Sequence, residues 1–307
     1  MSERRVAGID CGTNSIRLLI ADVGADGRLR DVVRRMEVVR LGEGVDRTGR
    51  LSEAALERTR VALADYTGQI REHGVEAVRM VATSASRDAA NAADFEAMVE
   101  SVLGQAPEVI TGDEEARLSF TGAAATLPPH EGQRLLIDIG GGSTEFVRGT
   151  GAEVLAAISV DIGCVRMTER HLRTDPPRQG EIDAAVLDIT GIADKALSVA
   201  DPAREATELV AVAGTATTIA AIALGLKAYD PRAIDGTRLT YSMVERVTAD
   251  LAEADHAARL AIPVMHPGRA DVIVGGALVL RTIMERSRIE EVLISEHDIL
   301  DGIALSA

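Results

Sequence analysis

The chain has 307 residues, enough for two medium-sized domains or one large domain. Its apolar content of 46% excludes a disordered chain. Its net charge of −15 argues against binding to duplex nucleic acid, because neutralising a phosphate backbone requires a broad basic face. A small phosphorylated ligand is still allowed, since it needs only a local positive pocket.

The first residues, the length of the apolar runs and the cysteines give further indications of the class of protein. The first residues, MSERRVAGID, are charged and lead directly into a strand-like run, which predicts no signal peptide. No apolar run approaches the length of a membrane span, so we expect a soluble cytoplasmic protein with no membrane partner. Cys11 and Cys164 are far apart in apolar contexts and are predicted to be small core residues.

The first half of the chain reads as alternating strands and helices. Three strands are predicted in RRVAGIDCG, SIRLLIADVG and LRDVVRRMEVVRLG. Ser52 then caps a long helix that is closed by Gly74. A strand in VEAVRMVAT, a helix ending at Gly104, a short strand in PEVIT and a helix in GDEEARLSFTGAAATL follow. The turn-rich PPHEG predicts a boundary between an N-terminal domain, 1–127, and a C-terminal domain, 128–307.

The second half repeats this pattern. Strands are predicted in RLLIDIGGG, STEFVRGTG and EVLAAISVDIG, followed by helices in CVRMTERHL and EIDAAVLDITGIADKALSVA. A strand in ELVAVAG leads to a helix in TATTIAAIALGL, and Ser242 with Glu245 predicts a capping box at the next helix. A helix, the strand IEEVLIS and a final helix in HDILDGIAL end the chain. This alternation predicts the α/β class.

An internal repeat links the two halves. Each half contains a strand with an Asp, a Gly two residues later, a Ser three residues after that Gly, and a second strand. The two copies are VAGIDCGTNSIRLLI and RLLIDIGGGSTEFV. The matched pairs are Asp10 with Asp138, Gly12 with Gly140, and Ser15 with Ser143. The repeat predicts two domains of like topology that face each other across a cleft, each opening with a hairpin.

The glycine-rich turn has a chemistry suited to phosphate. Gly140, Gly141 and Gly142 can direct backbone N–H groups at an anion, and Ser143 and Thr144 add hydroxyl donors. Two acids flank the turn, Asp138 and Glu145, and they cannot bind phosphate directly because like charges repel. They make sense if Mg²⁺ bridges them to phosphate oxygens. The alternative is an ordinary tight turn with chance acids, and the duplicated turn favours the functional interpretation.

Three other stretches carry weaker signals. Gly214 and Thr215 begin a predicted helix. Either its N-terminus binds an anion, or these residues only cap the helix. Ser84 and Arg87 follow a strand, where the arginine either neutralises a phosphoryl group or is solvated. TGDEEARLSF contains two acids, Glu114 and Glu115. Either both are first-turn acids that interact favourably with the helix dipole, or one of them orients a water molecule.

Several motifs in one order resemble a known family. They are GIDCGTNSIRLLI, VATSASRDAAN, TGDEEARL, LLIDIGGGSTEFV, DIGCVRMTERH, VAVAGTATTIAAI and GRADVIVGGALVL. Together they resemble the exopolyphosphatase and guanosine-pentaphosphate phosphohydrolase (Ppx/GppA) family, within the actin-like, sugar-kinase and heat-shock-chaperone ATPase superfamily. The resemblance covers nearly the whole chain. It implies two ribonuclease-H-like domains with the site in the cleft and, by analogy alone, a homodimer.

The resemblance also assigns roles to residues. Glu115 is implied to activate water, Arg87 to contact phosphate, and Asp138 and Glu145 to bind Mg²⁺. The implied phosphate-binding residues are Thr13, Asn14, Ser15, Arg17, Ser84, Gly140, Gly141, Gly142, Ser143, Gly214 and Thr215. Leu300 departs from the pattern, since the family often has arginine there. The helical second half of longer members is missing, so short polyphosphates are the expected substrates.

Competing functions remain open at the level of sequence. Hydrolysis of inorganic polyphosphate and hydrolysis of guanosine pentaphosphate use the same chemistry, and the residues barely separate them. A kinase of the same superfamily, such as an acetate or sugar kinase, would need a nucleotide pocket in the second domain. A sensor that binds polyphosphate or an alarmone without turnover is ranked last, because Glu115 and both metal-binding acids are present.

Overall fold

The chain divides into two compact units. The computed structural model describes residues 4–25 and 27–307. Unit 1 comprises the residues up to Thr126 together with Asp298–Ala307, and unit 2 comprises Leu127–His297. Residues 298–307, which we assigned from the sequence to the C-terminal domain, therefore pack in unit 1. The reason is an apolar surface on the sheet of unit 1, which the final helix covers.

Unit 1 is built on a five-stranded sheet with the order β3-β2-β1-β4-β5. Its strands are β1 (Arg4–Cys11), β2 (Ser15–Val23), β3 (Leu29–Val38), β4 (Ala77–Ala82) and β5 (Glu108–Val109). Its helices are α1 (Val45–Thr48), α2 (Glu53–Glu72), α3 (Ser84–Asp88), α4 (Ala92–Leu103), α5 (Gly112–Ala124) and the final helix, α13 (Ile299–Leu305). The first three strands are antiparallel, whereas β1, β4 and β5 run parallel.

Unit 2 is built on a six-stranded sheet with the order β10-β11-β9-β6-β7-β8. Its strands are β6 (Gln133–Ile139), β7 (Thr144–Thr150), β8 (Glu153–Val160), β9 (Ala206–Val212), β10 (Arg238–Thr240) and β11 (Glu291–Ile294). Its helices are α6 (Cys164–His171), α7 (Gln179–Ala200), α8 (Ala213–Ala223), α9 (Pro231–Ile234), α10 (Tyr241–Glu253), α11 (His256–Leu260) and α12 (Ile273–Ser287).

The two sheets share one arrangement. In each, three antiparallel strands open the unit, and the first of them pairs in parallel with a strand that follows a helix. This confirms the predicted α/β class and the predicted ribonuclease-H-like topology of both halves. The cores are almost entirely aliphatic, as expected for a chain without Trp.

Two local predictions had different outcomes. The Ser52 side chain caps α2 as predicted, accepting a hydrogen bond from the Ala55 N–H. The predicted capping box at Ser242 is wrong, because α10 begins two residues earlier than that box requires and Thr240 caps it by accepting from the Met243 N–H. Thr240 has the extended backbone that an N-cap requires.

Leu300, the predicted departure from the family pattern, lies in the core of unit 1. It is 1% exposed and clusters with Val6, Leu19 and Ala21. An arginine at this apolar position would need a partner for its buried charge.

No helix among residues 4–25 and 27–307 is both long and apolar enough to cross a membrane.

Candidate active site

In unit 1, the aspartate of the first hairpin is paired with an arginine. Asp10, the next-to-last residue of β1, lies directly opposite Arg17 on β2. The Arg17 guanidinium donates to Asp10 from Nε (2.9 Å) and Nη2 (2.6 Å), and from Nη1 to Asp298. Asp298 in turn caps α13. The predicted phosphate ligand Arg17 is therefore engaged by two carboxylates, which join the hairpin to the start of α13.

The groups of this cluster are close enough to shift each other's pKa. Burial raises the pKa of Asp10, Arg17 opposes the shift, and the nearby Asp298 adds to it. Burial alone would lower the pKa of Arg17, but the attraction of Asp298 and Asp10 outweighs it and raises that pKa. Two buried carboxyl groups share this guanidinium, and their attraction keeps the arginine charged.

The turn that follows Asp10 directs its carbonyl groups toward the chain after β3. The Thr13 carbonyl accepts from the Gly42 N–H (2.8 Å), and the Asn14 carbonyl accepts from the N–H groups of Val39 (3.1 Å) and Arg40 (2.8 Å). The C=O and N–H of one peptide plane point in opposite directions. The N–H groups that follow these two carbonyls, those of residues 14 and 15, are therefore directed away from that segment.

Hydroxyl groups link this turn to α3. The hydroxyls of Thr13 and Ser84 are hydrogen-bonded at 2.9 Å, and both residues are buried. Ser84 begins α3 directly after β4, and Arg87 lies in the same helix. The structure thus brings three of the predicted site residues to the same end of the sheet of unit 1.

The predicted base is also found at this end. Arg87 Nη1 donates to the Ile110 carbonyl (3.0 Å) and to Glu115 Oε2 (3.3 Å). Glu115 is 8% exposed, whereas the side chain of its neighbour Glu114 is 45% exposed and pairs with Arg79 at 2.9 Å. The residues alone did not separate the two acids and the resemblance favoured Glu115; in the structure Glu115 is the one that contacts Arg87.

In unit 2, the aspartate of the hairpin faces another acid. Asp138 on β6 lies directly opposite Glu145 on β7, and Glu145 lies opposite Ser159 on β8. The Ser159 hydroxyl donates to Glu145 Oε1 (2.7 Å). Both acids are buried, at 5% and 1% exposure. Two buried acids that face each other on neighbouring strands form a pair of oxygen donors of the kind that divalent cations use.

The donor set fits magnesium in one specific mode. Mg²⁺ in phosphate-handling sites takes one or two carboxylates and completes its shell with water and substrate oxygens. Asp138 and Glu145 provide such a pair. Across the part of the chain that the structure describes, no group of three or more His, Cys, Asp or Glu side chains is placed to hold a metal. A magnesium site here would therefore need oxygens from a phosphate or from water.

The glycine turn of unit 2 is anchored by its carbonyl groups. The carbonyls of Gly140, Gly141 and Gly142 accept from the N–H groups of Cys164 (2.9 Å), Val165 (2.9 Å) and Gly163 (3.2 Å), respectively. The peptide N–H groups opposite them belong to residues 141, 142 and 143, and these point away from α6. Successive N–H groups on one side of a turn form an anion nest, as the sequence predicts for this stretch.

A glycine outside the predicted site allows this anchoring. A Cβ at Gly163 would lie 2.2 Å from the Gly141 oxygen and 2.3 Å from its carbonyl carbon. Gly42 stands at the matching place in unit 1, where a Cβ would lie 2.4 Å from Thr13 Cγ2. Both glycines follow the third strand of their unit, so extending the repeat beyond the hairpins would have found them.

Two arginines that we left without a role lie on the predicted phosphate segments of unit 2. Arg166 donates from Nε to the Gly142 carbonyl (2.8 Å). Arg269 donates from Nη1 to the Gly214 carbonyl (2.8 Å) and to the Thr218 hydroxyl (3.0 Å). A Cβ at Gly214 would lie 2.1 Å from Arg269 Nη2, so the guanidinium rests on the glycine backbone. The only sequence signal was an arginine within GRADVIVGG.

The start of α8 has an unusual backbone. Ala213, just before Gly214, has a φ of +67°, which is costly for a residue with a Cβ. Thr215, in the next position, is buried. Strain of this kind is held where the surrounding structure requires it, and here it orients the turn between β9 and α8. Gly214 and Thr215 are thus placed beside a guanidinium.

Both cysteines are buried, as predicted. Burial raises the pKa of the Cys164 thiol to about 11, against the opposing effects of Arg269 and a hydrogen bond with Thr215. Burial also raises the pKa of Cys11, and Asp10 adds to the shift. Neither thiol is ionised near neutral pH, so neither has the thiolate character of a nucleophile.

Comparisons with known proteins agree on one family. The model of the Ppx/GppA phosphatase family matches residues 19–307. Exopolyphosphatase 2 of Mycobacterium tuberculosis is 49% identical over 318 aligned residues, which cover 100% of this chain and 99% of the relative. The crystal structure of an exopolyphosphatase-like protein superposes with a TM-score of 0.94 at 44% identity, covering 100% and 98% of the two chains. An exopolyphosphatase from Cytophaga hutchinsonii gives a TM-score of 0.89 at 28% identity, covering 97% and 96%.

Proposed function

Because the chain belongs to the Ppx/GppA phosphatase family, we propose that it is an exopolyphosphatase that hydrolyses the terminal phosphoryl group of inorganic polyphosphate. The observation that carries the proposal is the buried acid pair Asp138 and Glu145 beside the anion nest of unit 2. The names of full-length relatives favour polyphosphate over guanosine pentaphosphate.

Unit 2 would hold the phosphate. The N–H groups of Gly141, Gly142 and Ser143 would donate to phosphoryl oxygens, because the hydrogen bonds to the turn's carbonyl groups direct these N–H groups to the other side of the turn. Asp138 and Glu145 would hold Mg²⁺, which when bound supplies positive charge to the phosphate oxygens. The Arg269 guanidinium adds positive charge beside Gly214. These groups compensate charge and require no covalent step from the protein.

Glu115 is the proposed base. The Glu115 carboxylate would hold the attacking water and take its proton as the new O–P bond forms and the bridging P–O bond breaks. The products are inorganic phosphate and a chain shortened by one phosphoryl group. The contact from Arg87 orients the carboxylate. Phosphoryl transfer asks for positioning and charge compensation, and both are present in these residues.

A phosphate-release panel tests the proposal. Polyphosphates of graded length and guanosine pentaphosphate are compared, each with and without Mg²⁺. We expect Mg²⁺-dependent release from polyphosphate and a loss of ~10²–10⁴-fold in kcat for Glu115→Gln. The matched control is Asp113→Asn, since Asp113 is an acid in the same turn of α5 but is exposed and pairs with Arg117 within the helix. Near wild-type release by purified Glu115→Gln would refute the assigned base, and faster release from guanosine pentaphosphate would refute the substrate.

A further inference from the structure

The final helix, α13, forms a layer between the sheet of unit 1 and the helix that carries Glu115. One of its faces packs on β1 and β2 and another on β4 and α5. The first contact consists of Leu300, Ala304, Val6, Leu19 and Ala21. The second consists of Ile299, Ile303, Val81, Ile110 and Leu118. Because α5 lies on α13, its height above the sheet is set by how closely α13 packs.

The packing between α5 and α13 is backbone against backbone. A Cβ at Gly122 of α5 would lie 1.9 Å from the Asp298 oxygen and 2.8 Å from the Gly302 nitrogen. A Cβ at Gly302 of α13 would lie 2.0 Å from the Leu118 oxygen. On the sheet side, a Cβ at Gly8 would lie 3.0 Å from the Ala304 nitrogen. With no flexible side chain at these points, an added methyl group must displace a helix.

Ion pairs fix the beginning of α13. Asp298, its N-cap, accepts a hydrogen bond from Arg17, which also holds Asp10 of the hairpin. Asp301, in the first turn, accepts from Arg34 on β3 at 2.6 Å. These bonds tie the start of α13 to three strands of the sheet.

The chain just after α13 is tied to α5. Arg79 on β4 donates to the Ser306 hydroxyl (2.7 Å) and to Glu114 (2.9 Å). Glu114 directly precedes Glu115 in the first turn of α5. The same arginine therefore connects the chain just after α13 with the turn that carries the base.

We propose that α13 positions Glu115, with Gly122 and Gly302 as positioning residues for the reaction. The inference rests on the proposed role of Glu115 as the base. Glu115 and Gly122 are seven residues apart and lie along one side of α5, so a displacement at Gly122 is carried to Glu115 by a rigid helix. Arg87 also donates to the Ile110 carbonyl, which lies outside α5. A shift of α5 therefore changes the 3.3 Å contact between Arg87 and Glu115.

Alanine substitutions of increasing steric severity test the inference. In the full-length protein, Gly122→Ala and Gly302→Ala are expected to lower kcat tenfold to hundredfold, as roughly 1 Å of misplacement does elsewhere. Gly8→Ala, which meets its neighbours at 3.0 Å, is expected to lower kcat less. The KM for polyphosphate should stay within about threefold, because the phosphate-binding turn of unit 2 is untouched. The control is Gly68→Ala on α2, where a Cβ meets no atom within 4 Å.

A double variant separates positioning from general weakening of the fold. If Gly122→Ala acts through Glu115, it should cost less than about twofold in a Glu115→Gln background. A folded Gly122→Ala with wild-type kcat, or a loss that multiplies fully in the double variant, would overturn the inference. If Gly122→Ala does not fold, the same comparison with Gly8→Ala decides the question. Failure of the wild-type protein to hydrolyse polyphosphate would overturn the proposed function instead.

Discussion

Replacing Gly163 by alanine is the most direct test of the anchored glycine turn. Gly163 has φ −86° and ψ 164°, a conformation open to any residue, so the substitution introduces no backbone strain of its own. The added Cβ would lie 2.2 Å from the Gly141 oxygen and 2.5 Å from the Gly142 nitrogen. Both are backbone atoms, which cannot rotate away as the end of a long side chain can. The turn or the start of α6 must therefore move.

The size of the effect follows from that overlap. Restoring an ordinary carbon–oxygen separation requires about 1 Å of displacement. Overpacking of this kind typically costs about 1–3 kcal/mol of unfolding free energy. The same displacement moves the N–H groups of residues 141–143 away from a bound phosphoryl group, and about 1 Å of misplacement can lower a rate ~10²-fold. We expect kcat/KM to fall ~10²-fold, with part of the loss in KM because the turn binds phosphate.

The assay combines phosphate release from polyphosphate with urea unfolding of the same preparation. Gly191→Ala is the matched control, since Gly191 lies within α7 and a Cβ there meets no atom within 4 Å. Alanine is the better helix former by roughly 1 kcal/mol, so the control should be slightly more stable and fully active. A folded Gly163→Ala enzyme with wild-type kcat/KM would refute the role of the turn.

Two further predictions concern buried charges. Glu145→Gln removes one of two facing acids and one proposed Mg²⁺ ligand, so we expect it to raise the thermal midpoint in EDTA and to lower the phosphate release that Mg²⁺ supports; a lower midpoint in EDTA would contradict the argument. Glu208 lies opposite Arg134 across β6 and β9, at 2.5 Å, and both are buried. Burial alone would raise the pKa of Glu208, but hydrogen bonds from Arg134 and Arg238 outweigh it and hold that pKa below the ordinary value. Because the folded pKa is depressed, the stabilisation is complete above the unfolded pKa near 4.3 and is lost as the pH falls through the folded pKa. Glu208→Gln should cost roughly 3 kcal/mol at pH 7 and less in acid, and an unchanged urea midpoint at pH 7 would refute it.

The elements of the fold were within reach of the sequence because their signals are local. The Asp-x-Gly-x-x-Ser pattern specifies a tight turn between two apolar strands, and its recurrence at Asp10 and Asp138 revealed two like units. The place of α13 was not within reach. Its residues are apolar and would suit either core, and the contacts that assign it to unit 1, such as Arg17 with Asp298, join positions 281 residues apart.

The same limit explains why the individual site residues were only partly assigned. The resemblance implied that Arg17 binds phosphate, and no local pattern revealed its carboxylate partners, which come from β1 and from the start of α13. Arg269 is the opposite case, since the sequence assigned it no role. No local pattern distinguished it, and only the fold brings it onto Gly214, 55 residues earlier in the chain. Ion pairs between distant segments decide which charges are used internally and which are offered to a ligand.

The two hairpins differ in the residue that faces their aspartate. The strand register places Arg17 opposite Asp10 in unit 1 and Glu145 opposite Asp138 in unit 2, at matching positions of the repeat. In unit 1 the aspartate faces a cationic side chain of the protein. In unit 2 the facing residue is a second acid and both acids are buried, which is the donor pair that we propose for Mg²⁺. The residue type at one pair of equivalent positions thus decides whether the hairpin aspartate meets a cation or a second acid.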